Sequence, residues 1–448
     1  MPIALIVLAA GQGTRMNSDL PKVLHPLAGV PLVAHAMAAG AALEPEQVIV
    51  VAGHGAGAVT KAVAAINPEA RIAIQSEQKG TAHAVAQAAP LLEGFMGDAL
   101  VLYGDTPFIR PETLDAMLAA RRDHAVVVLG FEAATPGRYG RLITAGGLLE
   151  RIVEAKDATD AELAVTLCNS GVICADSETL LNLISDVGTQ NASGEYYLTD
   201  IIAIARARGL SATVVTCPEA ETLGINTRAE LAAAEALFQA RARALAQEDG
   251  VTLVNPDSII LAQDTAIGRD AVVQGPVVFG PGVTVESGAT IRPFSHLEGC
   301  HVSQGAVVGP FARLRPGAEL AEDVHIGNFV EIKNTIVDQG AKINHLSYIG
   351  DAHIGEASNI GAGTITCNYD GVFKHHTDIG ARVFIGSNTM LVAPVRIGDE
   401  AMTGSGSVIT ADVPEGALAV ARARQAVKPG LARRFFEKLR AAKAAQKG

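Results

Sequence analysis

Little of this sequence is charged. Asp, Glu, Lys and Arg make up 18% of its 448 residues, against 49% hydrophobic residues. That balance excludes an intrinsically disordered chain, which lacks the apolar surface to offset chain entropy. The length leads us to expect two or three domains, each with its own core. Positive charge is the scarcer sign: 35 Lys and Arg face 47 Asp and Glu, for a net charge of −12. A general nucleic-acid binder needs a basic face, so that class is excluded and any phosphate recognition must be local. The five cysteines (Cys168, Cys174, Cys217, Cys300, Cys367) are odd in number and scattered, and no pair has zinc-ribbon spacing. Reduced thiols in a cytoplasmic protein are expected. No stretch is apolar over the ~20 residues that a membrane span needs. The apolar run from Ile3 to Ala9 lacks a preceding basic segment, so a core strand is expected there and not a signal peptide.

Two familiar nucleotide motifs are also missing. The loop Leu8-Ala9-Ala10-Gly11-Gln12-Gly13-Thr14-Arg15 has two glycines of a dinucleotide fingerprint, but Met16 stands where the third would be. No Gly-Lys-Ser/Thr follows, so it is not a Walker loop. Two readings remain. The loop is a plain strand-to-helix turn, or its backbone N–H groups approach an anion that Arg15 and Lys22 neutralise.

The chain has two halves with different grammar. Up to about residue 225, apolar strands (Val48 to Val51, Ala99 to Tyr103, Ala125 to Leu129) alternate with alanine-rich helical segments (Val30 to Ala42, Thr81 to Leu92). This predicts an α/β fold with a mainly parallel sheet, whose ligands sit at strand carboxyl ends. The glycine loop and Gly104-Asp105 occupy such ends. Residues 227–250 predict one helix, opened by a Thr227/Glu230 capping box and stopped by Gly250; it reads as a rigid connector. Beyond it the period becomes six. Aliphatic or aromatic residues fall at Ile267, Val273, Phe279, Val285, Ile291 and Leu297, again from Val308 to Ile332, and again from Ile379 to Ile397. A period of six predicts a hexapeptide β-helix, with breaks near Val302 and between Thr366 and Asp378. The second break is a loop, placed to bind or to touch a neighbouring chain. The basic tail Arg433 to Arg440 reads as an amphipathic helix.

These residues together resemble one family along nearly the whole chain. The front half contributes Leu8 to Arg15, Leu20-Pro21-Lys22, Gln75 with Gly80-Thr81, Tyr103-Gly104-Asp105, Tyr139-Gly140-Arg141, Val153 to Asp157, Asn169-Ser170-Gly171 and Gly224-Ile225-Asn226. The rear half contributes Phe311 to Ala318, Gly327 to Lys333, His345 to Tyr348 and Gly361 to Asp370. The sequence is similar to the bifunctional N-acetylglucosamine-1-phosphate uridylyltransferase / glucosamine-1-phosphate N-acetyltransferases. The resemblance implies a uridylyltransferase domain in residues 1–226, a helical linker in 227–250, and an acetyltransferase in 251–448 built as a left-handed parallel β-helix.

The resemblance also implies site residues. Leu8, Ala9, Ala10 and Gly11 would lie along the nucleotide, with Arg15 and Lys22 on its phosphates. Gln75, Gly80 and Thr81 would read uracil, near Tyr103 and Gly104. Asp105 and Asn226 would hold Mg²⁺, and Gly140, Glu154 and Asn169 the sugar. In the rear half His345 would be the general base, oriented by Glu331. Arg315 and Lys333 would grip the sugar phosphate, with Tyr348, Asn359 and Asn368 fixing the sugar. Ala362, Asn368, Tyr369, Ser387, Ser405 and Arg422 would line the acetyl-CoA path. Ser170 and Ser405 stand where the family commonly has Thr and Ala. The implied substrates are glucosamine 1-phosphate, acetyl-CoA and UTP, and the implied assembly is a homotrimer. The alternative is a single-activity sugar-1-phosphate nucleotidyltransferase whose β-helix only regulates or oligomerises.

Overall fold

A computed structural model of the chain describes residues 1–446. It divides into two compact units, Met1–Ala242 with Leu261–Gln263, and Arg243–Ile260 with Asp264–Gly448.

The first unit is built on a mixed sheet. Its strands run in the order Ala212–Thr216, Val126–Glu132, Leu167–Asp176, Asp98–Tyr103, Ile3–Ala9, Gln47–Ala52 and Arg71–Ile74. All are parallel except Leu167–Asp176, which is antiparallel to both neighbours. The central strand Ile3–Ala9 is buried on both faces, with Ala4, Leu5, Ile6 and Val7 fully covered. Such two-sided burial is why its sequence is a continuous apolar run without alternation. One apolar layer gathers Ile6, Ile49, Val101 and Val85 and the other Leu5, Val50, Leu102 and Met37.

Two expected helices are shorter than the sequence suggests. The first is Leu32–Ala41, because Val30–Pro31 is extended and pairs with Pro26–Leu27. The second stops at Ala86, and Ala89–Leu91 is a separate 3₁₀ turn. Pro90 has no N–H to continue an α-helix, so the chain breaks there.

The helix Arg228–Glu248 opens with the expected reciprocal cap: Glu230 N–H donates to Thr227 Oγ1 (3.1 Å) and Thr227 N–H to Glu230 Oε2 (3.0 Å). It ends at Gly250, whose φ is +89°. The helix is not a bare rod. Glu235 accepts from the Ala28 N–H (2.8 Å), and Ala234 joins an apolar cluster with Leu27, Leu32, Phe108 and Ile225. Its front part therefore belongs to the first unit, and the boundary falls at Ala242/Arg243.

The second unit is a β-helix of the left-handed kind that hexapeptide repeats build. Successive coils stack in parallel, as in Val277↔Ser295 and Glu331↔Tyr348. Among the described residues one face is a ten-stranded sheet. The other two join into a fifteen-stranded sheet, because Val330–Val337 and Tyr348–Ile354 run on round a corner. Val273, Phe279, Val285, Ile291, Leu297, Val308, Leu314, Ile332, Ile385 and Ile397 fill the axis and are all buried, as the period of six requires. The break near Val302 is a coil one residue short: Val285 pairs with Val302, 17 residues on, where Val277 pairs 18 on. Ile267, at the first coil, is only half buried. The loop after Thr366 is closed by a Tyr369/Lys374 bridge and by Asp370, which accepts from the N–H groups of Val372 and Phe373. The tail forms the helix Leu431–Ala445, exposed along its length.

Candidate active sites

In the first unit three distant segments meet at the carboxyl ends of adjacent strands. Leu8 is paired with Tyr103, and the Gly104 N–H donates to Leu8 O (2.9 Å), so the glycine loop and Asp105 are neighbours. The Ile225 N–H donates to Asp105 O (3.0 Å), which brings Asn226 alongside. Lys22 closes the cluster. Its ammonium is ion-paired to Asp105 and donates to Asn226 Oδ1 (3.1 Å). Gly13 makes that approach possible: a Cβ there would lie 2.5 Å from Lys22 Cβ, and its φ of +63° is a left-handed conformation. The Asn226 N–H donates to Glu230 Oε2 (2.7 Å), so the start of the long helix holds Asn226 in place. Arg15 is exposed and has no side-chain partner among the described residues.

Asp105 and Asn226 thus aim two hard oxygens at one point, and the Lys22 ammonium lies against both. A site that accepts one cation from two oxygens suits Mg²⁺, which takes few protein ligands and completes its shell with water and phosphate oxygens. No cluster of three or more His, Cys, Asp or Glu suited to a metal occurs among the described residues.

Beside this cluster is a cavity of about 760 Å³, lined among others by Thr81, Tyr103, Glu154, Asn169 and Thr199. Gly140 lies close to both Glu154 and Asn169: a Cβ there would meet Glu154 Oε1 at 3.5 Å and Asn169 Cβ at 3.6 Å. Burial raises the Glu154 pKa above the ordinary carboxyl range, against a hydrogen bond from Thr199 Oγ1 (3.2 Å) that lowers it. Burial likewise raises that of Asp200. Lys156 and Ser193, 3.3 Å apart, rim the same cavity and were not marked out by sequence. Gln75 is 3% exposed, and its amide donates to Gly80 O (3.1 Å). Thr81 Oγ1 accepts from the Leu198 N–H (3.0 Å).

In the second unit the expected residues occupy successive coils. His345 is in register with Asn328, and its Nδ1–H donates to Asn328 Oδ1 (2.9 Å). Glu331 was expected to orient His345. Instead it accepts from Arg315 (2.9 Å), with Arg313 at 4.0 Å, because the register stacks Arg313, Glu331 and Tyr348. Lys333 faces Asp351 (3.8 Å). Asp351 also accepts from Asn334 (2.7 Å) and from Asn368, which approaches Tyr348 Oη (3.5 Å). Burial works to raise the Asp351 pKa, but these amide bonds and Lys333 outweigh it and hold it low.

The loop delivers one residue that spacing did not reveal. Lys374 stands beside Lys333, which pushes its pKa below the usual lysine range. Two ammonium groups together mark a place for an anion. Asn359 pairs in register with Lys342, on the strand that carries His345, and its side chain makes no hydrogen bond among the described residues.

The residues assigned to acetyl-CoA form a ladder up one corner. Gly363 N–H donates to His345 O (3.2 Å), Asn388 N–H to Ala362 O (2.7 Å), and Gly406 N–H to Ser387 O (2.8 Å). Arg422 then donates to Ser405 O. Four coil steps at about 4.8 Å span about 19 Å from His345 to Arg422. Tyr369 is 60% exposed at the protruding loop, and its Oη donates to Gly371 O (2.5 Å).

Fold and sites together define a class: a sugar nucleotidyltransferase joined to a hexapeptide-repeat acyltransferase. Known proteins agree. Residues 5–167 match the MobA-like NTP transferase domain, and residues 376–411 match the bacterial transferase hexapeptide (six repeats). The bifunctional protein GlmU of Paracoccus denitrificans (strain Pd 1222) is 68% identical over 439 residues, 98% of each chain. That of Cereibacter sphaeroides (strain ATCC 17023) is 69% identical over 445 residues, covering 99% of this chain and 98% of the relative. That of Dinoroseobacter shibae (strain DSM 16493) is 71% identical over 447 residues, covering 100% and 99%. This chain belongs to the GlmU family of bifunctional proteins, and it is a bifunctional transferase. No helix among the described residues is long and apolar enough to cross a membrane.

Proposed function

We infer that the chain makes UDP-N-acetylglucosamine by two transfers at two separate sites. The β-helix acetylates glucosamine 1-phosphate from acetyl-CoA. The α/β unit then joins the N-acetylglucosamine 1-phosphate to UTP. What supports this reading above all is that each unit carries its own complete set of groups: the Lys22, Asp105, Asn226 cluster in one, the His345 ladder in the other.

Acetyl transfer needs a neutral amine. His345 Nδ1–H is engaged with Asn328, so Nε2 carries the lone pair and is free to take a proton. The amine nitrogen attacks the thioester carbonyl, the C–N bond forms and the C–S bond breaks. His345 takes the amine proton, and CoA leaves as thiol. Arg315, Lys333 and Lys374 hold the sugar phosphate, and Tyr348, Asn359 and Asn368 the sugar. The ladder Ala362, Ser387, Ser405, Arg422 has the length to receive an extended CoA arm, and Arg422 supplies a cation at its far end.

In uridylyl transfer an oxygen of the sugar phosphate attacks the α-phosphorus of UTP, and pyrophosphate leaves. Two anions must meet, so electrostatic stabilisation dominates. Lys22 and Arg15 neutralise phosphate oxygens, and the backbone from Leu8 to Gly11 follows the nucleotide. Asp105 and Asn226 hold Mg²⁺, which supplies further charge stabilisation when bound. Gln75, Gly80 and Thr81 face the base, and Gly140, Glu154 and Asn169 the sugar.

The working protein is a cytoplasmic homotrimer. All five cysteines are free thiols. Phe294, Phe311 and Phe329 stack at 4.7 and 5.2 Å along an exposed corner of the β-helix, an apolar strip suited to a neighbouring copy. Native mass in solution tests the trimer. The decisive assay supplies glucosamine 1-phosphate, acetyl-CoA, UTP and Mg²⁺, and omits each in turn. Failure of the folded protein to acetylate glucosamine 1-phosphate would favour the single-activity nucleotidyltransferase, a reading that leaves the His345 ladder without a purpose.

A further inference from the structure

Gln75 makes an unusual arrangement for a residue that faces a base. A carboxamide can offer a base edge either an acceptor or two donors, depending on which way it is turned. Here the turn is decided by its neighbours. Gly80 O can only accept, so the Gln75 atom at 3.1 Å from it is the nitrogen. The same nitrogen lies 3.0 Å from His83 Nδ1. Both amide protons are therefore engaged, one by Gly80 O and one by the lone pair of His83 Nδ1. Gln75 Oε1 makes no hydrogen bond among the described residues and is left as a pure acceptor.

His83 is itself held. It sits one turn into the helix Thr81–Ala86. Gln87 donates to the His83 carbonyl (3.0 Å) and lies 3.3 Å from Nε2, on the far side of the ring. The Tyr196 ring is tilted against it with centroids 6.4 Å apart. Gly80 is fixed as well: its φ is +111°, and a Cβ there would run into the Tyr196 backbone. Its carbonyl also accepts from the Ala84 N–H (3.1 Å). Two acceptors on a rigid frame thus lock one rotamer of one amide.

We propose that His83 is a positioning residue that sets pyrimidine specificity. By accepting the second Gln75 amide proton, it turns the Gln75 oxygen toward the base. Uracil carries N3–H, a donor that this oxygen accepts. Cytosine carries a lone pair at N3, which the oxygen repels. Without the Nδ1 acceptor the amide is free to turn over and offer N–H, which cytosine N3 accepts. His83 never touches the nucleotide; it acts through Gln75. The inference rests on the reading that Gln75 faces the base.

The test compares kcat/KM for UTP and CTP in uridylyl transfer by the full-length chain. His83→Leu removes the acceptor, His83→Asn restores an oxygen acceptor near the Nδ1 position, and Gln75→Ala removes the reader. Acetyl transfer by the same preparations controls for protein quality, and His83→Phe replaces His83→Leu if the leucine variant does not fold. The UTP/CTP preference is expected to fall about tenfold in His83→Leu, mostly through KM, because one oriented buried hydrogen bond is lost. In His83→Asn it stays within about threefold of wild type. A wild-type preference in His83→Leu, with the preference collapsed in Gln75→Ala, overturns the role of His83 alone. An unchanged preference in Gln75→Ala overturns base reading by Gln75, and the inference with it.

Discussion

The two halves of this molecule build a site by opposite means. In the α/β unit the groups that meet are far apart in sequence: Lys22 contacts Asp105, 83 residues on, and Asn226, 204 residues on. Each arrives on its own loop, and each loop is held by its own hydrogen bonds. In the β-helix, partners are 17 or 18 residues apart, as for Arg315 and Glu331's neighbours or for Asn328 and His345. One repeated move sets the whole array. A convergent site depends on many unrelated contacts, whereas a stacked site depends on the offset between adjacent coils. Two chemistries then share one chain without sharing a side chain.

The largest effects should separate the halves cleanly. His345→Ala is expected to lower kcat for acetyl transfer about 10³-fold while UTP chemistry stays near wild type. Loss of both activities in a folded variant would mean the sites are not independent. Asp105→Ala should do the reverse, lowering uridylyl transfer by about 10²-fold or more. A Mg²⁺ titration of that variant should show a weakened metal response and unchanged acetylation.

A core change probes how the stacked half is held. Ile332 is fully buried on the axis. Ile332→Ala is expected to cost about 3 kcal/mol, read as a lower denaturation midpoint with early loss of acetylation. The geometry around the base gives a smaller effect. Asn328→Ala frees the His345 ring and should lower acetyl transfer about tenfold, whereas Glu331→Gln should act mainly through Arg315, raising KM for the sugar phosphate.

The smallest effect is one of pH. His353 is clamped between Asp338 (2.8 Å) and Asp378 (3.1 Å) on adjoining coils, with Arg396 Nε 3.4 Å from Asp378. Burial opposes its charged form, but the two carboxylates win and raise its pKa. A raised folded-state pKa contributes stability that is fully present below the unfolded value, about 6.5 for histidine, and is lost as pH rises through the folded value. His353→Gln should therefore destabilise the β-helix most on the acid side of pH 6.5. The difference in melting temperature from wild type should fade toward alkaline pH.

Much of this was legible in the residues themselves. The period of six placed Val273, Ile291, Leu314 and Ile385 on the β-helix axis, since an aliphatic every sixth residue has no other way to be buried. The strand ends at Leu8 and Tyr103 were also visible, because parallel strands covered on both faces are apolar throughout. What spacing could not show was which polar partner each side chain would choose. Glu331 is nearer in sequence to Arg315 and His345 than any other carboxylate, and on sequence alone it suits either. The coil from Asn328 to His345 is 17 residues long, and that offset brings Asn328, not Glu331, opposite the imidazole. Lys374 joined Lys333 only once the loop had folded back. His83 carried no motif at all.

The order of local elements, the solenoid and the residue types needed for two transfers were thus set by the chain itself, through periodicity and local chemistry that act over a few residues. The direction of the Gln75 amide, the partner of His345 and the meeting of Lys22, Asp105 and Asn226 were decided by tertiary structure. Hydrogen bonds act over about 3 Å and demand alignment, so a difference of one residue in a coil or one bond in a loop changes which groups can reach each other.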